Sequence, residues 1–478
     1  MNKNSTQTTA QNEDINFSPL FGGGKVKLGS TPKAVTPFGG LVSFIAWLRS
    51  AGFLQAVVSA MPFSYSSPNS ITPAVIFTSF LMATLLGASR FAHCGWLRLD
   101  KALHALLGVS RLPGEDSVLR FFARFSMSRV EAFFRPLWRW LFSLMSAPRA
   151  GFTLDLDSTV FNREGSQEGS AKGYNPRRPG RKSHHPLLAA LAEAPVILHA
   201  WLRAGNTAAG RGVVAFLREA LALLPQGWRV RCVRADSGFF DQHLLEFLEE
   251  CGLPYLIVAR LTPGVKSRLR SARLVWREAG GGLSVSRFCA KLHGWRETRE
   301  FIVVRERVRD EKPSAGRRLL DVPGHTFRVL VTNRAEDSLT LWRDYNGRAC
   351  IEQRIEELKN DLHADEFCTR AFFATEAAFL SVVFAYNLLS LYQAGTMRQS
   401  GWRQPATLRA AVFVCGAILG RAGRQLTLRY SKNNGGIEKH NPLLQKLFDP
   451  ANPIAPLLPA SASTNPHPCV VWLEDYII

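Results

Sequence analysis

The hydrophobic pattern changes period three times along the chain. From Pro37 to Ser146, apolar residues recur at three- and four-residue spacing through LVSFIAWL, the run after Pro73 and VEAFFRPLWRWLFSLM. That spacing predicts a helical region. At Gly151 the pattern becomes alternating. GFTLDLDSTVF reads as a strand, followed by HPLLAALA and APVILHAWLR as two more. Asn206 and Thr207 read as a cap for a helix over Gly212–Leu224. WRVRCVRADSG, the amphipathic Asp241–Cys251 and PYLIVAR then give strand, helix and strand. The predicted order is β-β-β-α-β-α-β. From Leu261, SARLVWRE, LSVSRFCAKL, TREFIVVRERV and FRVLVTN read as strands of an inserted antiparallel module. Helical periodicity returns near Ser338, with further helices over Arg370–Tyr392 and Pro405–Ala422. The last residues, LQKLFDPANPIAPLLPASASTNPHP, are Pro-rich and predict an extended tail.

The pattern divides the chain into a flexible arm (1–36), a helical region (37–148), a first core segment (149–260), a β-rich insertion (261–336), a second core segment carrying a charged helix (337–396), and a C-terminal helical region with its tail (397–478). LPGEDSVLRFFARFS and MSRVEAFFRPLW could form a helix-turn-helix or simply two short helices. Arg90, Arg98, Arg120, Arg124 and Arg129 are available there to phosphates.

The charged helix YNGRACIEQRIEELK carries the first chemical signal. With Glu352 at the origin of a wheel of about 100° per residue, Tyr345, Arg348 and Lys359 fall within roughly 40° of it. Ile351, Ile355, Leu358 and Leu362 form an apolar stripe to one side, and Gln353, Arg354, Glu357 and Asp361 take the side expected to face solvent. A carboxylate among cations at the edge of a buried face suits phosphate chemistry. An ordinary amphipathic helix with i,i+4 ion pairs gives the same pattern.

Composition sharpens this reading. Lys and Arg total 59 against 38 Asp and Glu, a net charge of +21, which points to a polyanionic partner. Eight cysteines occur without a CxxC pair or Cys/His cluster, which argues against a zinc site and a disulfide framework. The polar start MNKNSTQTTAQNEDINFSP predicts no secretory leader, and a cytoplasmic, nucleoid-associated protein follows. Ile71–Ser89 runs 19 residues without charge, and Ala377–Met397 is similar. Either could suit a membrane by length. A mean hydropathy of -0.03 favours buried helices and no membrane.

Three acidic positions stand out. Asp155 and Asp157 lie in an apolar strand, on one face. Asp236 ends another strand, where ligands of α/β sheets gather. Glu352 lies on the helix after the insertion. Three carboxylates without His or Cys suit Mg²⁺ or Mn²⁺, and two such ions can drive in-line phosphoryl transfer. Each acid has an alternative: a turn cap for Asp157, a helix cap for Asp236, a salt bridge to Arg348 for Glu352. A second signal is the loop after the first strand, which carries Lys172, Arg177, Arg178, Arg181 and Lys182 within eleven positions. His184 and His185 end that loop. It reads as a DNA-backbone contact or as a solvated surface loop.

In Tyr345, Arg348, Glu352 and Lys359, two residues separate Tyr from Arg, three separate Arg from Glu and six separate Glu from Lys. This spacing resembles the Tyr-Arg-Glu-Lys signature of DDE transposases of bacterial insertion sequences, the cut-and-paste group. LDST and RADSGF resemble the family's first and second aspartate motifs. The resemblance implies an α/β chain with a ribonuclease-H-like catalytic core, interrupted by a β-rich insertion and flanked by helical N-terminal and C-terminal regions, the first of them (37–148) for DNA-end binding or dimerisation. It implies Asp157, Asp236 and Glu352 as the catalytic, metal-binding triad, with Asp157 preferred to Asp155 because Thr159 follows at the family's spacing. It implies Tyr345, Arg348 and Lys359 as DNA-phosphate ligands, and Trp276 or Trp295 as a base-stacking aromatic. The implied activity is DNA cleavage at the element's terminal inverted repeats and strand transfer into target DNA, with Mg²⁺ (or Mn²⁺), as two ions, and a homodimer in the DNA complex. A Mg²⁺-dependent nuclease and a non-catalytic basic DNA-binding protein are the alternatives.

Overall fold

A computed structural model describes residues 16–21, 24–307, 317–318, 324–397, 402–433 and 445. It begins with a small pair of strands, β1 (Asn16–Phe17) and β2 (Val26–Lys27), and then β3 (Ala34–Thr36). Six helices follow: α1 (Leu41–Ser50), α2 (Phe53–Ala60), α3 (Pro73–Leu85), α4 (Lys101–Leu107), α5 (Glu115–Phe122) and α6 (Met127–Ser143). Helix α3 starts where its sequence permits. The Thr72 hydroxyl accepts from the Val75 amide, and Pro73 fills the first turn, where no amide donor is needed. It is apolar on all sides because it is buried on nearly all sides.

The central sheet explains the placement of the site. It contains β4 (Phe152–Ser158), β8 (Leu187–Leu191), β9 (Val196–Trp201), β10 (Val230–Ala235) and β11 (Tyr255–Val258). Between β4 and β8, the short strands β5 (Phe161–Asn162), β6 (Ala171–Lys172) and β7 (Lys182–His184) form a small sheet of their own. Strand β4 lies parallel to β10, and β10 parallel to β11. On its other side β4 pairs antiparallel with β8, and β8 with β9. Helix α7 (Val213–Leu223) joins β9 to β10, and α8 (Gln242–Glu250) joins β10 to β11.

The strands after Leu261 do not make a sheet apart. β12 (Arg277–Gly280), β13 (Leu283–Ala290), β14 (Arg299–Arg307) and β16 (His325–Thr332) pair in turn, with β15 (Arg317–Arg318) on β16. β16 then pairs antiparallel with β11, so these strands continue the central sheet. The region also contains a helix, α9 (Pro263–Ser271), where only strands were expected. Thr262 and Pro263 supply its start, as Thr72 and Pro73 do for α3.

The charged stretch is not one helix. α10 (Ser338–Asn346) ends before Gly347, and α11 (Ala349–Glu356) runs into a π-helical turn over Glu357–Asp361. A single wheel therefore misplaces residues across these joints. Arg354 and Glu357, expected to face solvent, are buried. The Arg354 guanidinium donates to the carbonyls of Leu191 and Ala192 at the end of β8. Glu357 accepts from the Tyr386 hydroxyl at 2.7 Å.

Helix α12 (Phe372–Thr396) is the long apolar element, and 83% of its most apolar window is buried inside the protein. It covers the edge strand β9. Asn387 accepts from the Ile197 amide at 2.8 Å and donates to its carbonyl at 2.7 Å, at the irregularity where β8 and β9 lose register. Aromatic rings join α12 to the N-terminal helices: Phe384 lies 6.1 Å from Phe77 and 5.5 Å from Trp138.

Three further expectations change. α7 spans Val213–Leu223, close to the expected range, but its cap is Gly212, held in the left-handed region at φ 78°, and not Asn206 or Thr207. The helix expected over Pro405–Ala422 shrinks to α13 (Pro405–Leu408) and a π turn, followed by β17 (Ala417–Ala422) and β18 (Gln425–Tyr430). β17 pairs with β3, so part of the expected N-terminal arm belongs to a sheet. The Pro-rich tail lies outside the described residues apart from Gln445.

Candidate active site

Strand β4 carries two aspartates on one face, and their surroundings separate them. Asp155 is fully buried and opposes Arg234 of β10 in register. The Arg234 guanidinium donates to both of its oxygens, Nε at 2.7 Å and Nη2 at 2.8 Å. Arg234 also donates to the Asp344 carbonyl and lies 3.3 Å from the Asp344 carboxylate. This pair ties β4 to β10 and to the end of α10. Both Asp155 oxygens are thereby held by Arg234, and the side chain is sealed from solvent.

Asp157 lies two residues on, at the strand end, and its side chain keeps 14% exposure. It accepts from the Ser158 amide at 2.8 Å and meets Nη2 of Arg348 at 3.0 Å. Nη1 of Arg348 reaches Glu352 Oε1 at 2.9 Å, and Nη2 also donates to the Leu156 carbonyl at 3.3 Å. Arg348 thus bridges the end of β4 to the first turn of α11. It is buried, and its Nε has no acceptor among the described residues. The Glu352 side chain is 64% exposed, with only one of its oxygens bonded.

Asp236 follows β10, the neighbour of β4, and its carboxylate accepts from the Gly238 amide at 2.8 Å. The three carboxylates feel one another. Burial pushes the Asp157 pKa up to about 7; Arg348 pulls it down, while Asp236 and Glu352 push it further up. Burial disfavours the charged Arg348, yet Asp157, Tyr345, Asp236 and Glu352 together hold its pKa above the usual guanidinium range. Burial also raises the Tyr345 hydroxyl. Tyr345 packs against the sheet from α10, its ring stacked 6.2 Å from Trp342.

The donor set is oxygen only and short of positive charge, which suits a hard divalent cation. Among the described residues no three His, Cys, Asp or Glu side chains are gathered tightly enough to hold one ion. The Arg348 guanidinium stands between Asp157 and Glu352.

Lys359 is half-buried in the π turn, and its Nζ lies 3.4 Å from the Val160 carbonyl just past β4. Burial lowers its pKa; Asp365 opposes this and Arg177 adds to it. Lys172, Arg177, Arg178, Arg181 and Lys182 are all exposed, and none forms an ion pair with a described residue. The loop itself is anchored. Asn175 is buried and donates to Asn162 at 2.8 Å. Gly173 and Gly205 lie back to back, so closely that a Cβ on Gly205 would come 1.9 Å from the Ser183 carbonyl.

His184 and His185 do not belong to the exposed loop. His184 is buried between Arg163, whose Nε donates to its Nδ1 at 3.0 Å, and the Glu168 carbonyl. Burial takes its pKa down to about 4. His185 donates to the Thr207 carbonyl at 2.7 Å. Both are neutral structural side chains. Trp276 and Trp295 are partly buried, each beneath an arginine: Arg305 at 4.1 Å and Arg299 at 4.8 Å. The residues not singled out from the sequence are Arg234, Arg354 and Asp344. A charged residue inside an apolar strand was the available signal for Arg234.

The chain matches the family model "Transposase DDE domain group 1" over residues 19–448. Among solved structures it is similar to a piggyBac transposase synaptic complex with hairpin DNA. That likeness has 11% identity and a TM-score of 0.42, and covers 80% of this chain and 83% of the other. No curated protein matches the chain.

Proposed function

Because the chain belongs to the transposase DDE-domain family, whose model spans most of its length, we propose that it cuts DNA at the ends of its own mobile element and joins them to target DNA. The observation that carries this reading is the pair Asp157 and Glu352 joined through Arg348, with Asp236 just past the end of the neighbouring parallel strand. A ribonuclease-H-like core is supported by the strand order β11-β10-β4-β8-β9, antiparallel on one side of β4 and parallel on the other.

In this reading Asp157, Asp236 and Glu352 hold Mg²⁺ or Mn²⁺, as two ions. When bound, such ions activate the attacking oxygen and stabilise the leaving one in an in-line phosphoryl transfer. The protein's own groups do the rest. Arg348 and Lys359 take phosphate oxygens of the element end: a guanidinium does so with two prongs, an ammonium as a point charge. The Tyr345 hydroxyl adds a neutral donor. The cations of the 172–182 loop hold the DNA backbone beside the end of β4. The scheme extends to a bacterial insertion-sequence origin, a Tyr-Arg-Glu-Lys signature formed by Tyr345, Arg348, Glu352 and Lys359, two copies of the chain on paired ends, and action at the nucleoid.

The test is purified protein with Mg²⁺ and a duplex carrying the inverted repeats that flank the reading frame. Cleavage followed by joining to a second duplex supports the reading. Cleavage without joining removes strand transfer from it, and neither reaction removes the chemistry altogether.

A further inference from the structure

Arg348 is a phosphate ligand in the reading above, yet here its guanidinium is spent on protein carboxylates. It contacts Asp157 at 3.0 Å and Glu352 at 2.9 Å, two of the three acids assigned to the metal. Those acids come from different elements, β4 and α11, and Arg348 is the side chain that joins them. We propose that Arg348 is a built-in cation that closes the metal site of the DNA-free chain, and that the site opens to metal when a DNA phosphate draws the guanidinium away. The inference rests on the functional reading above and adds its regulation.

Three observations carry it. First, much of the guanidinium is already committed. Its two Nη groups already engage Asp157, Glu352 and the Leu156 carbonyl. Second, the closed arrangement is incomplete. Nε is buried without an acceptor among the described residues, a costly position for a donor in the protein interior. A phosphate offers acceptors that leave no guanidinium nitrogen stranded, so the exchange has a driving force. Third, the closure hinges on a movable end. Glu352 is largely exposed and holds Arg348 with one oxygen, in the first turn of α11 just beyond the break between α10 and α11. Asp157 is the fixed end, held by its strand and by the Ser158 amide.

Metal and Arg348 then compete for the same oxygens, while DNA and the carboxylates compete for the same guanidinium. Linkage makes the result reciprocal: what DNA does for metal affinity, metal does for DNA affinity. Such a device keeps metal-driven hydrolysis away from a chain that has no DNA end in place.

The test uses the full-length chain without DNA, titrated with Mn²⁺ and followed by loss of the free-ion paramagnetic resonance signal. Folding is checked by circular dichroism and thermal melting. Arg348→Ala removes the competing cation, and Mn²⁺ binding should tighten by about tenfold, within the usual range of site-to-site coupling. Arg348→Lys keeps the charge but gives up the two-pronged contact. It too should bind Mn²⁺ more tightly than the wild type, which separates contact from net charge. If both folded variants bind Mn²⁺ no more tightly than the wild type, or more weakly, Arg348 is scaffolding and the inference is overturned. Glu352→Gln distinguishes the two levels. Mn²⁺ binding lost in Glu352→Gln but indifferent to Arg348 overturns only the closure. Mn²⁺ binding indifferent to Glu352 overturns the metal assignment itself.

Discussion

Asp155 is sealed from solvent and clamped at both oxygens by Arg234, whereas Asp157 faces Arg348 and its fellow acids. Two substitutions should therefore fail in different ways. Asp155→Asn breaks a fully buried pair and leaves Arg234 with the more exposed Asp344 as its remaining carboxylate. Such breaks cost about 3–5 kcal/mol, and thermal unfolding should show a large fall in Tm. Asp157→Asn should leave Tm nearly unchanged, because it removes mutual repulsion along with one ion pair, and should abolish DNA cleavage. The difference between the two aspartates was not legible in the sequence. Strand alternation places both on one face, and the deciding partner, Arg234, lies 79 residues away.

A second residue offers a pH test away from the site. Glu376 on α12 is buried against β9, accepts from the Leu202 amide at 3.1 Å, and has its pKa pushed by burial up to about 7 from 4.5. An acid whose pKa is raised on folding favours the folded state while protonated. Its contribution is intact below pH 4.5, declines through the window to about 7, and is gone above it. Glu376→Gln removes that dependence. Relative to the wild type, the variant should gain up to about 3 kcal/mol between pH 4.5 and 8. Chemical denaturation at the two pH values measures it, and an equal difference at both would contradict the burial assigned to Glu376.

At the scale of elements, the basic loop and the charged helix show opposite degrees of legibility. The loop's exposed cations follow from local composition, since five Lys and Arg among Gly, Ser and Pro have no apolar face to bury. The structure leaves all five exposed. The helix failed as one wheel because Gly347 and the π turn reset its phase, and because Arg354 and Glu357 find partners on β8 and α12. Tertiary partners of that kind leave no trace in periodicity. The loop yields a direct expectation. Arg178→Ala with Arg181→Ala should weaken binding to any duplex and reduce the slope of log K against log salt by about 2, roughly one for each phosphate no longer neutralised. An unchanged slope, measured by fluorescence anisotropy across a salt series, would assign the loop to solvent.

At the scale of the molecule, the sheet joins regions whose sequences read as separate. The five strands β4 and β8 to β11 were legible in number and order because each is an alternating or apolar run bounded by its own turn, whereas the short β5, β6 and β7 lie where a loop was expected. That β16 would pair with β11 and extend the same sheet was not, since neither strand's pattern specifies its edge partner. The same sheet brings Asp157 and Asp236 to neighbouring strand ends, and α11 adds Glu352. Charge belongs to this scale too. A net charge of +21 favours a polyanionic partner across the surface, while Asp157 and Glu352 set negative charge on either side of Arg348.

The most direct test of that convergence compares wild type with Asp236→Asn and Glu352→Gln on an element-end duplex with Mg²⁺. Binding of the duplex and Tm are measured on the same samples. Both variants should bind DNA and melt as the wild type does, while cleavage falls by more than about a hundredfold, the loss that even outer-shell metal partners can cause. Cleavage at the wild-type rate in either variant would contradict the account.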